Sequence, residues 1–135
     1  MAKLSDARPQ GEDPVFVHVD AHLLVVVKPA GLLSVPGRGE DKQDCASARV
    51  QRLYPDAKVV HRLDMATSGL LLMARGAQMQ RRLSLAFAQR EVGKRYLARV
   101  AGRLDAPAEG PDGWALIDLP LAADWPNRPR RIVDR

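Results

Sequence analysis

Apolar positions alternate with a period of two in the first third of the chain and with a period near 3.6 in two later stretches, which predicts strands followed by helices. The β-branched runs Val15–Val19 and Leu23–Val27 flank Asp20-Ala21-His22, the pattern of a hairpin with a short loop. Lys28-Pro29-Ala30-Gly31 ends the second strand, and Pro36-Gly37-Arg38-Gly39 marks a surface loop. From Asp44, a residue suited to capping, Ala46, Val50, Leu53 and Tyr54 recur at helical spacing until Pro55 stops the helix. Val59-Val60 predicts a short strand and Leu70–Ala74 a longer one, so the polar string from His61 to Gly69 is a loop framed by apolar strands. Residues Gln78–Gln89 place Met79, Leu83, Ala86 and Phe87 on one side and Arg81 and Arg82 elsewhere, an amphipathic helix. Lys94–Val100 alternates again, and Trp114–Leu119 predicts one more strand. The stretch Pro120–Arg135 carries three prolines and four arginines and predicts no closing element.

These elements predict an α+β fold: a mostly antiparallel or mixed sheet with two helices packed on it. Residues 1–13 are poor in apolar side chains and read as a disordered head, leaving residues 14–135 as one domain. At 135 residues and 46% apolar content, the chain has material for one modest core and not for several domains.

Charge narrows the partners. The chain carries 21 Lys+Arg against 16 Asp+Glu, a net charge of +5, which favours polyanions. Between Arg75 and Arg103 lie eight basic residues and one acid, Glu91. Spread over a helix and a strand, they suit either a face that meets phosphates or a solvated helix surface, and charge does not separate the two. One cysteine, Cys45, excludes an intramolecular disulfide, and no apolar run of about 18 residues opens the chain, so a cytoplasmic protein is expected. One Cys and three His give no metal cluster, and neither a P-loop nor a dinucleotide fingerprint nor a nucleophile elbow occurs.

Asp64 is the acid that invites a chemical reading. It follows Arg62 and precedes the Thr67-Ser68-Gly69 turn in an apolar frame, where a charge is costly unless paired or used. An ionised carboxylate there serves as nucleophile or base. The competing readings are structural: a salt bridge to Arg62, or an Asx turn toward Ala66 or Thr67. No second carboxylate is close in sequence, which disfavours a glycosidase-type pair and leaves an acid-dependent nucleoside hydrolase weakly supported. Tyr96, one of six aromatic residues, stands between Arg95 and Arg99 and suits either a base-stacking platform or a core position.

The string His61-Arg62-Leu63-Asp64-Met65-Ala66-Thr67-Ser68-Gly69-Leu70 resembles the signature of the RluA family of pseudouridine synthases. Val27-Lys28-Pro29-Ala30-Gly31-Leu32-Leu33-Ser34-Val35-Pro36-Gly37-Arg38 resembles the family's N-terminal segment, and Lys94-Arg95-Tyr96 its Lys-x-Tyr motif. Asp118-Leu119-Pro120-Leu121 with Asp124-Trp125-Pro126-Asn127-Arg128-Pro129 resembles the dual-specificity branch, which acts on 23S rRNA and the tRNA anticodon stem-loop. The resemblance implies isomerisation of uridines in structured RNA by a cytoplasmic monomer, with neither metal nor organic cofactor and no membrane. It further implies that Asp64 is the essential catalytic residue, that Tyr96 packs against the uracil, and that Arg62 fills the stack vacated by the flipped uridine. Family members continue through a Gly-Arg-x-His-Gln-x-Arg segment that supplies further strands and a basic partner for the aspartate. That segment is absent here, so the N-terminal part of the catalytic fold is expected. The alternative is a non-catalytic RNA-binding remnant.

Overall fold

The computed structural model describes residues 11–105 and 110–134. They fall into two units, the first ending at Lys94 and the second beginning at Arg95. Of the expected disordered head, residues 1–10 lie outside the described residues.

In the first unit, strands β1 (Val15–Val19) and β2 (Leu23–Lys28) form the expected hairpin, α1 spans Ala46–Leu53, β3 Ala57–Val59, β4 Gly69–Arg75 and α2 Gly76–Ala88. The sheet order is β1-β2-β4-β3, and every pairing is antiparallel. β2 and β4 are the central pair, in register from Leu23 opposite Ala74 to Lys28 opposite Gly69.

Period-two alternation decides what is buried. Leu24 and Val26 of β2 and Leu71 and Met73 of β4 turn inward and meet Ala46 and Val50 of α1, together with Ala57 and Leu63. Phe16 and Tyr54 close the edge of this core in an edge-to-face contact, ring centroids 5.2 Å apart. The same alternation carries the next residue of β2, Lys28, onto the core face, where it is fully buried. Helix α2 packs along β4 and β3, with Met79, Leu83, Ala86 and Phe87 half-buried as their spacing predicted.

Two details differ from expectation in this unit. The α1 cap is Cys45, whose Sγ accepts from the Ala48 N–H at 3.4 Å. Asp44 is instead drawn into a two-pronged pair with Arg49, at 2.9 and 2.8 Å, a charge-assisted geometry that outcompetes a neutral cap. The short strand expected at Val59-Val60 begins earlier, at Ala57, because its pairing with β4 starts opposite Arg75.

From Lys94, the last residue of the first unit, onward the chain departs further from expectation. Lys94–Val100, which alternates, and Trp114–Leu119, which is mostly apolar, are irregular: no described strand pairs with them, and an unpaired strand leaves its backbone groups to solvent. The segment expected to lack regularity holds instead a small hairpin, β5 (Leu121–Ala123) with β6 (Arg131–Val133). A single 3-10 turn over Trp125–Asn127 reverses the chain between them, secured by Asn127 Nδ2 donating to Asp124 at 3.0 Å.

Candidate active site

The polar string between β3 and β4 is a loop, and Arg62 and Asp64 are both exposed on it. Leu63 between them is buried in the core. That alternation follows from one apolar residue flanked by two charged ones: anchoring Leu63 forces its neighbours outward.

Side chains from elsewhere fix this loop. Buried Ser34 donates its hydroxyl to the Leu63 carbonyl at 2.6 Å and accepts the Leu63 N–H at 3.0 Å, so one side chain satisfies both backbone groups of the residue before Asp64. The Lys28 ammonium donates to the carbonyls of Pro29 (3.0 Å), Leu32 (2.6 Å) and Met65 (3.1 Å). The first two belong to the loop after β2 and the third to the loop that carries Asp64, so this one buried charge joins the two segments. Gly31, in the left-handed region at φ 90°, adds a backbone bond to the Met65 carbonyl at 2.7 Å. Gly69, at φ 139°, lets the chain turn into β4 beside Leu63.

Electrostatics couple Lys28 to Asp64. Burial pushes the Lys28 ammonium below its ordinary value, and the negative charge of Asp64 opposes that shift. Three accepting carbonyls and a nearby carboxylate are what a buried ammonium needs to stay ionised. The carboxylate itself is not consumed by the loop. The Thr67 N–H donates to the backbone carbonyl of Asp64 at 3.0 Å, not to its side chain. Among the described residues neither an Arg62 salt bridge nor an Asx turn engages it. The Asp64 carboxylate faces solvent on a loop held through Lys28, Ser34 and Gly31.

Before the loop, His61 stacks on Phe87 of α2 at 4.4 Å and 14°, and its Nε2 accepts the Leu72 N–H of β4 at 3.0 Å. Burial, and then the Lys94 ammonium, hold this imidazole below its ordinary value.

The structure thus brings Arg62 and Asp64 together in one loop, whereas Tyr96 belongs to the second unit, where it is exposed. In that unit the Arg128 guanidinium lies 4.5 Å over the Trp125 ring. A cavity of about 300 Å³ there is lined by Ala123, Trp125, Arg128, Pro129, Arg130 and Arg131. Of the basic stretch, Arg75 is taken up by structure: it pairs with Asp56 at 2.9 Å, donates to the Asp20 carbonyl and covers Tyr54. Lys28, Ser34 and His61 lie in the motifs of the resemblance, but sequence reasoning assigned them no role. The available signal was the alternation Leu24-Val26-Lys28, which directs a lysine inward.

Among the described residues no cluster of His, Cys, Asp and Glu could hold a metal ion, and no helix is long and apolar enough to cross a membrane. The family model described as RNA pseudouridylate synthase matches residues 22–125. The chain belongs to this family. Its relatives include the dual-specificity RNA pseudouridine synthase RluA of Escherichia coli K12, 50% identical over 93% of this chain and 54% of that protein. The proteins of the same name from Yersinia pestis (50% identical over 88% of this chain and 55% of the relative) and Vibrio vulnificus (43% over 98% and 51%) are similar. The chain therefore spans about half the length of the relatives it matches. A solved structure, human RNA pseudouridylate synthase domain containing 4, aligns over 57% of this chain and 30% of its own, with 26% identity and a TM-score of 0.45.

Proposed function

We propose that the chain is the aspartate-bearing part of an RNA pseudouridine synthase, acting on uridines of structured RNA, with 23S rRNA, the tRNA anticodon stem-loop or both as substrates. The observation that carries this reading is the exposed Asp64 carboxylate on a loop tied down through Lys28 and Ser34. Membership of the family and 50% identity to a dual-specificity synthase support it.

In this reading the N1–C1′ bond of a flipped uridine breaks, the uracil turns, and C5 joins C1′, with one proton leaving C5 and one gained at N1. Asp64 acts on the sugar, by attack or by proton removal, from a position preset by the loop. Tyr96 packs on the uracil and assists at C5. Arg62, two residues from Asp64 and exposed, occupies the gap in the stack, which offsets part of the few kcal/mol that flipping costs. Exposed Arg81 and Arg82 on α2, with Arg128, Arg130 and Arg131, meet phosphates. The protein works as a cytoplasmic monomer, needs no metal, and has residues 14–135 as part of one catalytic domain.

Release of tritium from RNA labelled at uridine C5 tests the reading, on this chain and on the chain extended to the length of its relatives. Release by the extended chain, lost or strongly slowed in Tyr96→Phe with RNA affinity kept, is expected. Salt-sensitive RNA binding without release by either chain would establish the alternative, a non-catalytic RNA-binding remnant.

A further inference from the structure

We propose that His61 is a positioning residue for Asp64, holding the start of the loop against β4 only while its imidazole is neutral.

The last paired rung between β3 and β4 is Val59 opposite Met73. One residue further along β4, the Leu72 N–H has the His61 imidazole as acceptor in place of a strand carbonyl. The ring is held for this purpose by Phe87, nearly parallel to it at 4.4 Å, and is half-buried between α2 and β4. A ring nitrogen that accepts an N–H must be unprotonated, so Nε2 is bare and Nδ1 carries the hydrogen. Between His61 and Asp64 lies only the Arg62-Leu63 pair, and Leu63 is itself fastened by Ser34. The loop is thus anchored at His61, Leu63 and Met65, and of these the His61 anchor is the one whose hydrogen bond a gained proton breaks.

Each element around the ring contributes to that titration. β4 presents the Leu72 N–H, a donor, and α2 presents the neutral Phe87 ring. Lys94, which follows α2 and lies 5.9 Å from the Phe87 ring centre, adds a positive charge. On its own segment, Arg62 and Asp64 both face solvent. Burial and Lys94 act in the same direction, against the imidazolium. When a proton does bind, both ring nitrogens become donors, and Nε2–H meets Leu72 N–H donor to donor. The folded-state value lies below the ordinary 6.5. The anchor is therefore complete above about that pH and is lost as pH falls through the lowered value.

The functional meaning rests on Asp64 being the reacting carboxylate, but the anchor is testable without turnover. The experiment follows the imidazole of His61 and the backbone amides of Leu72 and Asp64 by NMR in this chain as pH is lowered, with amide hydrogen exchange at Leu72. Expected is a His61 midpoint below 6.5, shared by the Leu72 and Asp64 amides, with Leu72 exchange accelerating about tenfold beyond its intrinsic pH trend, the loss of roughly one hydrogen bond. His61→Gln, whose Oε1 still accepts but does not titrate, keeps Leu72 protected and removes the step. His61→Phe, which keeps the stack and loses the acceptor, exchanges fast at every pH. Protection of Leu72 in His61→Phe, or a His61 titration that neither amide follows, overturns the proposal. Failure of Asp64→Asn to lower tritium release would instead strike at the functional reading and leave the anchor untouched.

Discussion

Replacing Ser34 by alanine removes one oxygen and exposes how the loop bearing Asp64 is held. In the native chain that oxygen donates to the Leu63 carbonyl at 2.6 Å and accepts its N–H at 3.0 Å, with Ser34 3% and Leu63 7% exposed. Alanine fits the space but satisfies neither group, and both lie where water has poor access. A buried backbone group left without a partner costs about 1–3 kcal/mol, so the pair should cost roughly 2–4 kcal/mol after partial relaxation. That is a large share of the roughly 5–15 kcal/mol by which domains are stable. With a urea m-value of about 2 kcal/mol/M, the midpoint should fall by roughly 1–2 M at unchanged m. Ser84→Ala on the exposed side of α2 is the matched control, expected to shift the midpoint little. A Ser34→Ala midpoint no lower than that of Ser84→Ala would show that the Ser34–Leu63 bridge does not hold the loop.

Lys28→Met keeps the length and apolar stem of the side chain but strands the three carbonyls that the ammonium serves; a loss of about 2–5 kcal/mol in urea unfolding is expected. Leu71→Ala, at the centre of the core shared by β4 and α1, should cost about 2–4 kcal/mol by the same measurement. Three carboxylates are held below their ordinary value of 3.8, Asp20 by His18 and two backbone N–H groups, Asp44 by Arg49 and Asp56 by Arg75. Their contribution to folding is present above that value and lost as pH falls through the lowered ones, so Asp20→Asn should flatten the acid side of a stability–pH curve. RNA affinity should drop steeply with salt, and Arg130→Ala with Arg131→Ala should reduce the slope of log Kd against log salt; an unchanged slope would remove these residues from the phosphate contacts.

Much of the first unit was legible in the pattern of side chains. The β1–β2 hairpin and the buried face of α2 follow from β-branched runs and from the spacing of Met79, Leu83, Ala86 and Phe87, and the structure reproduces both. Lys94–Val100 shows the limit of such reasoning: alternation is necessary for a strand but pairing makes one, and none of the described residues pairs there. The β5–β6 hairpin was hidden for the opposite reason, since strands this short gain their order from the turn at Trp125–Asn127, not from a pattern. Asp64 stood out because a charge in an apolar frame is costly. Its supports did not, because a lysine closing a strand and a serine in a loop look like surface residues until the fold turns them inward.

The central claim is that the carboxylate carried by this loop performs the chemistry. Single-turnover tritium release by the extended chain, with Asp64→Asn compared with native protein at saturating RNA, addresses it most directly. Release should vanish in Asp64→Asn while RNA affinity and the urea midpoint stay near native. Undiminished release from that variant would contradict the claim.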